Sequence, residues 1–287
     1  MNYRETFRVA QDTKLNLTKI DPDFTNKHDD KTSAEPEIAD QVKRLRDLQY
    51  LLYAEGKRSL LICLQAMDAA GKDGTINHVL GGMNPQGCKV YGFKAPSKEE
   101  LAHDFLWRIH ARTPAKGEVA IFNRSHYEDV LVARVHKLVP KEVWSQRYQM
   151  INEFERELVA NGTQIVKIFL HISAEEQLRR FKQRLEDPAR HWKISEGDYA
   201  ERRLWPQYRQ AYEDAINLTS TKHAPWYVVP ANHKWFRNLA VSNIIVDTLK
   251  SLDMSFPAPM VDIRKIRQQY HAAEDEQNGN SLRKVQS

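Results

Sequence analysis

Residues 59–75 read SLLICLQAMDAAGKDGT, and the fold is decided in this stretch. Ser59 to Leu64 is an apolar run of strand length. The segment after it, Ala66-Met67-Asp68-Ala69-Ala70-Gly71-Lys72-Asp73-Gly74-Thr75, is a turn of small residues with one lysine that opens onto a helical pattern. A phosphate held at such a turn requires small residues so that backbone N–H groups surround it, a lysine to reach it, and a helix N-terminus adding partial positive charge. Ala69, Ala70, Gly71, Lys72 and Gly74 supply these. Against the P-loop template, GxxxxGK followed by Ser or Thr, Ala66 replaces the first glycine and Asp73 the hydroxyl residue that normally holds magnesium. The same residues also fit an ordinary strand-to-helix turn with a solvated lysine. A carboxylate inside the loop is costly beside phosphate unless a cation lies between them, which makes Asp68 a magnesium candidate. A turn-forming aspartate is its alternative. Asp73, in a first helical turn, gains from the macrodipole alone.

Working outward, further short apolar runs alternate with helical patterns. Cys88 to Tyr91, Glu118 to Phe122, Gln164 to Ile172 and Trp226 to Val229 each read as a buried strand. Helices are expected over Glu37 to Ala54, Ile76 to Gly81, Lys98 to Arg112 behind Ser97-x-x-Glu100, Glu142 to Ala160, Ala174 to Glu186 behind Ser173-x-x-Glu176, and Trp235 to Leu252. This alternation implies an α/β fold, a parallel five-stranded sheet with helices on both faces. About 50 residues separate His171 from Trp226 and carry two helical patterns, more than a crossover needs. A lid over about 179–215 is the expected use of the extra length. Residues 1–33 read as a polar surface arm with few core candidates, 34–255 as the domain, and 256–287 as a partly disordered extension, Ala272 to Ser287 being polar without apolar period.

Composition narrows the function classes. The 287 residues are 41% hydrophobic and 28% charged, enough for one large core. No run of eighteen apolar residues exists and the N-terminus has no apolar leader, so a cytoplasmic protein with no membrane partner is expected. Cys63 and Cys88 form no CxxC pair, which argues against a disulfide framework or zinc site. The net charge of +5 favours an anionic ligand. Most of that excess lies in one segment. Arg179, Arg180, Lys182, Arg184, Arg190, Lys193, Arg202, Arg203 and Arg209 face only Glu186, Asp187, Glu196, Asp198 and Glu201. A solvated helix face is one reading of this charge. The other is a lid that closes arginines over a transferring phosphoryl group.

The third strand ends in Asn123-Arg124-Ser125-His126-Tyr127-Glu128-Asp129, where open parallel sheets place their ligand crevice. Asn123 stands where an acidic residue commonly holds magnesium through water; it ligates without neutralising. Arg124 either clamps a phosphoryl group or pairs locally with Glu128 or Asp129. His126 is a poor general base candidate, because a phosphate acceptor needs none.

Four stretches together resemble the polyphosphate kinase 2 family. They are LQAMDAAGKDGT from Leu64, IFNRSHYEDVLVARV from Ile121, RRFKQRLEDPARHWKISEGDYAERRLWPQY from Arg179, and APWYVVPANHKWFRNLAVSNIIVDTL from Ala224. The opening FRV at Phe7 matches the family's N-terminal arm as well. The resemblance implies a P-loop kinase-like fold, magnesium, inorganic polyphosphate as donor and a cytoplasmic role, with Asp68 and Lys72 serving metal and phosphate. FNRSHYE, where other members carry FDRSWYN, is similar to the subclass that accepts both AMP and ADP. The expected site is therefore Asp68, Lys72 and Arg124 as catalytic residues, with Asp68 on the metal. Ala69, Ala70, Gly71, Lys72, Asp73, Gly74, Arg180 and Arg184 are expected on phosphates, and Asn123 and Glu128 on the nucleotide side. The expected partners are inorganic polyphosphate and adenine nucleotides, guanine ones also being open, with no nucleic acid, and the expected assembly is a homo-oligomer. Three rival readings stand beside this one: an ATP-dependent nucleotide kinase, a polyanion- or nucleic-acid-binding module, and a P-loop relic that binds without turnover.

Overall fold

All eight residues of β1 (Ser59–Ala66) are buried, so the strand has to be covered on both faces and paired on both edges. The computed structural model describes the backbone of residues 1–285 and the side chains of residues 1–277. In it β1 pairs in parallel with β3 (Val119–Asn123), Leu64 opposite Asn123, and with β4 (Thr163–His171), Leu64 opposite Ile168. Outside these lie β2 (Cys88–Gly92), beside β3, and β5 (Trp226–Pro230), beside β4. The order is β2-β3-β1-β4-β5, all parallel. The chain leaves β1 toward one side first and the other side later, so the loops after β1 and β3 flank the switch point of the sheet. One expectation fails here. β2 is a half-exposed edge strand, Val90 being 51% exposed, because CKVYG pairs only with β3 and carries Lys89.

Alternate β1 residues serve two cores. Leu60, Ile62 and Leu64 belong to the larger one, with the buried faces of α2 (Lys31–Glu55) and α11 (Lys234–Lys250); Leu61 and Cys63 belong to the smaller one, with Ile109 and with Phe154 of α7 (Lys141–Ala160). Helix α2 starts earlier than expected because Asp30 caps the Ser33 N–H at 2.8 Å, so that Pro36 falls inside the helix.

The arm also departs from expectation. Tyr3 and Phe7 of α1 (Tyr3–Phe7), Val9 and Leu17 are buried, and Tyr3, Phe7 and Phe24 pack edge-to-face with Phe236. The Val9 N–H donates to the Trp226 carbonyl at 2.8 Å and Arg8 bridges Tyr227 antiparallel, so the arm closes the free edge of β5.

After β1 comes α3 (Lys72–His78), several residues earlier than Ile76. The helix expected over 98–112 is two single turns, α4 (Lys98–Leu101) and α5 (Trp107–His110), since Asp104 accepts the Leu106 N–H at 2.9 Å and starts a new turn. A short α6 (Val132–Val135) precedes α7. The β4-to-β5 crossover holds three helices, α8 (Ala174–Glu186), α9 (Glu196–Arg203) and α10 (Trp205–Thr219). Met1–Met254 form one unit; a second begins at Ser255. Within the extension α12 (Ile263–Val285) is helical, its mixed Arg, Gln, Glu and Ala composition favouring helix where apolar periodicity is silent. Gln286 and Ser287 lie outside the described residues. Among the described residues no helix is long and apolar enough to cross a membrane.

Candidate active site

The loop between β1 and α3 is shaped by two residues in the left-handed region, Ala69 at φ 63° and Gly71 at φ 107°. At Gly71 glycine is obligatory: a Cβ there would lie 1.9 Å from Nη1 of Arg237. Helix α3 then begins at Lys72 with no side-chain cap on its first N–H groups. The Lys72 ammonium turns back to the Ala66 carbonyl at 3.2 Å, and burial pulls its pKa below the ordinary lysine value against the opposing field of Asp68. The turn therefore has the parts its sequence announced, namely small residues, a positioned lysine and an uncapped helix start.

The register of β1 on β3 brings the second segment alongside. Asn123 donates to Oδ1 of Asp73 at 2.7 Å, and Nη2 of Arg124 to Oδ1 of Asp68 at 3.3 Å. Arg124 itself sits at φ 64°, a strained position for a non-glycine residue. Its partner is Asp68, which settles the local-pair alternative as regards Asp129; that carboxylate contacts Arg147 and Arg108 instead. Glu128 lines the same cavity as Asp68 and Arg124. Burial raises its carboxyl pKa above the usual range, with Arg124 and Lys72 opposing. Burial also works against the Arg124 charge, but Glu128 and Asp68 outweigh it and raise that pKa.

Three hollows adjoin these residues. The first, about 300 Å³, is lined by Asp68, Arg124 and Glu128 together with Val132, Trp205 and Tyr208. The second runs past the loop, lined by Asp68, Lys72, Asp73 and Asn123 and by Arg184, Lys193 and Asp198 of the β4-to-β5 crossover. A third shares Gly71, Gly74, Arg184 and Lys193 with the second; its cations are Lys31, Arg180, Arg184, Arg190, Lys193, Lys234 and Arg237, against Glu35. The shared residues make one path, acidic and aromatic at one end and strongly basic at the other.

The two expected lid arginines behave differently. Arg184 reaches the groove, 3.7 Å from Asp198 and bonded to the Lys193 carbonyl. Arg180 does not serve as the expected free phosphate contact. It is 5% exposed, and its five N–H donors are spent on Glu176 and the carbonyls of Ala69, Ala70, Ala231 and Asn232. It braces the phosphate loop from behind.

Arg237 escaped the sequence reading. It is 2% exposed, donates to the Ala70 carbonyl at 3.3 Å and to Asn238, and has no ion pair among the described residues. Burial first, and Arg180 alongside second, lower its pKa to about 9, a penalty that an anion bound at the loop would offset. An arginine between Phe236 and the largely apolar stretch NLAVSNIIV was the available signal.

Among the described residues no group of three or more His, Cys, Asp or Glu is arranged around a metal. The donors nevertheless suit a small hard cation, which takes one or two carboxylates and completes its shell with substrate phosphates and water. Asp68 and Glu128, on one cavity beside the loop, are such donors.

A parallel sheet with a phosphate loop at its switch point, a strand-end arginine facing a loop carboxylate and a basic path beside the helices of the β4-to-β5 crossover define a P-loop phosphotransferase of the kinase type. Residues 28–257 match the family described as Polyphosphate kinase 2, and the chain belongs to it. It is 52% identical over 261 residues to the AMP/ADP-polyphosphate phosphotransferase of Meiothermus ruber, covering 91% of this chain and 98% of that protein. To the ADP-polyphosphate phosphotransferase of Rhodopseudomonas palustris it is 45% identical over 283 residues, covering 92% and 96%. The crystal structure of Polyphosphate Kinase 2 from Arthrobacter aurescens TC1 superposes with a TM-score of 0.91 at 44% identity, over 95% of this chain and 97% of that one.

Proposed function

We propose that the protein transfers the terminal phosphoryl group of inorganic polyphosphate to AMP and to ADP, reversibly, with magnesium. The observation that carries this reading is the continuous path from the basic groove, past the phosphate loop, to the cavity of Asp68, Arg124 and Glu128. A triphosphate donor needs only the loop; a groove of cations extending beyond it suits a longer chain of phosphates without bases to read. This favours polyphosphate over ATP as donor. Carboxylates lining the acceptor cavity disfavour a polynucleotide there.

In this reading the donor lies in the basic groove with its end at the loop, held by Lys72, the first N–H groups of α3 and Arg184. The acceptor nucleotide occupies the first cavity, its terminal phosphate oxygen in line with the donor end. Magnesium, held by Asp68 and Glu128 with the substrate phosphates, supplies charge neutralisation between two polyanions. Arg124 presents fixed donors where charge gathers on the transferring group. No protein base is required, since the attacking phosphate oxygen is already ionised, and no phosphoenzyme forms. Asn123, bonded to Asp73, holds β3 to the loop and adds no second negative charge, and Glu128 supports acceptance of the shorter monophosphate. A cytoplasmic homo-oligomer acting on adenine nucleotides, with guanine nucleotides also open to it, completes the proposal.

The test is to incubate purified protein with magnesium and long-chain polyphosphate plus AMP, ADP, GMP or GDP separately, and to resolve the nucleotides by chromatography. With AMP alone, ADP should appear first and ATP later. No product without added ATP as donor would move the assignment to an ATP-dependent kinase.

A further inference from the structure

A charged cluster with no access to solvent lies behind the strand-end turn. Lys167, on the inner strand β4, and Glu155, on α7, have fully buried side chains 2.6 Å apart. The Lys167 ammonium also donates to the Tyr127 hydroxyl at 2.9 Å and to the Thr219 carbonyl at 2.7 Å, which uses its three N–H groups. Glu155 Oε1 accepts the Tyr127 hydroxyl at 2.8 Å and stands 3.2 Å from Nε2 of His126.

Stability alone does not account for this cluster. Removing two charges from water offsets most of their attraction, and apolar replacements of similar volume are commonly neutral or stabilising. What distinguishes it is what it grips. His126 and Tyr127 are the two buried residues of the turn between Ser125 and Glu128. The turn's other ends are tied as well, Ser125 by Gln65 at 3.2 Å and Asp129 by Arg147 at 3.3 Å. Arg124 and Glu128, on either side of the gripped pair, face the acceptor cavity. A left-handed arginine persists only where its surroundings over-determine it.

We propose that Glu155 and Lys167 are positioning residues for phosphoryl transfer, a buried clamp on His126 and Tyr127 that presents Arg124 and Glu128 to the acceptor phosphate. The inference rests on the acceptor site assigned above. The clamp touches neither the phosphate loop nor the basic groove, so its loss should act on turnover and leave polyphosphate affinity alone.

Two variants test it, Glu155→Gln/Lys167→Met, which removes both charges, and Tyr127→Phe, which keeps the ring and removes the hydroxyl. Each is compared with the wild type by thermal melting, by kcat and KM for AMP and polyphosphate per folded molecule, and again in a Glu128→Gln background. The expected result is a kcat lowered about tenfold, an unchanged KM for polyphosphate, and a clearly smaller effect in the Glu128→Gln background, since the clamp acts through that side chain. Additive losses, or activity that falls only with the folded fraction, would make the cluster a structural pair and overturn the proposal. If the double variant does not fold, Tyr127→Phe decides by the same criteria. A wild type without polyphosphate-dependent transfer would instead overturn the function on which the clamp depends, whereas full turnover in both variants would overturn the clamp alone.

Discussion

The guanidinium of Arg180 donates to the Ala70 carbonyl at 2.7 Å, so a cation of the β4-to-β5 crossover is built into the back of the phosphate loop. Orienting that carbonyl toward α8 turns the following peptide N–H, that of Gly71, the opposite way. Arg180→Ala should therefore act on fold and function together. It leaves Glu176, 6% exposed, without its buried partner, and a loss of about 3 kcal/mol is expected. Chemical denaturation measures it, and an unchanged midpoint would remove the brace from the account.

Lys72→Ala should lower transfer by at least about a hundredfold while leaving the protein folded, because among the described residues its ammonium makes a single hydrogen bond, to the Ala66 carbonyl. Turnover near the wild-type rate would take the loop lysine out of the mechanism.

The metal assignment makes a separate demand. Asp68→Asn removes a charged ligand where Asn123 offers no compensating carboxylate, and activity should fall roughly a hundredfold, with partial recovery at raised magnesium. A magnesium titration of kcat/KM reads this directly. Near-normal activity at ordinary magnesium would shift the principal metal ligand to Glu128.

Glu128 gives a prediction about pH. Burial raises its carboxyl pKa, so the folded protein holds that proton more tightly than the unfolded chain. Ionising it costs stability; the cost is absent below the unfolded carboxylate value and complete above the raised folded one. Glu128→Gln should thus raise Tm at neutral pH, with little difference in acid, while lowering activity. A destabilised Glu128→Gln at neutral pH would contradict the sign.

Legibility in the sequence followed the range over which each signal acts. The strand-loop-helix at Ser59 to Thr75 and helix Ala174–Glu186 behind Ser173 were readable because caps, small residues and periodicity are local. The anchoring of Tyr3 and Phe7 was not, since their partner Phe236 lies across the chain and isolated aromatics in a polar stretch have no period. Charge count located the basic crossover without telling which cations turn inward. Arg180 and Arg184 are four residues apart on α8, yet one is locked on carbonyls and the other opens to the groove. That difference is made by Ala231 and Asn232 after β5, which only the tertiary fold brings to Arg180.

The same contrast sets the test of the groove. Reversing Arg180 would confound binding with unfolding, so the informative pair is Arg184→Glu/Lys193→Glu, both on the path beside the loop, against Lys43→Glu/Arg46→Glu on the exposed face of α2. The two double variants change net charge equally. Polyphosphate binding releases counterions, so affinity should fall as salt rises, with a slope that reflects how many cations meet the polyanion. The groove variant should bind polyphosphate at least about tenfold more weakly and show a slope shallower by about 2, whereas the α2 variant should keep the wild-type slope. The α2 variant should melt close to wild type, since exposed substitutions usually change stability by about 0.5 kcal/mol or less, and the groove variant somewhat lower, because Arg184, whose side chain is 20% exposed, stands 3.7 Å from Asp198; affinities are therefore compared per folded molecule. Affinity across a salt series, measured by titration calorimetry with long-chain polyphosphate, separates the cases. Equal losses and equal slopes would mean that overall charge draws the polyanion in, and the groove would lose its role.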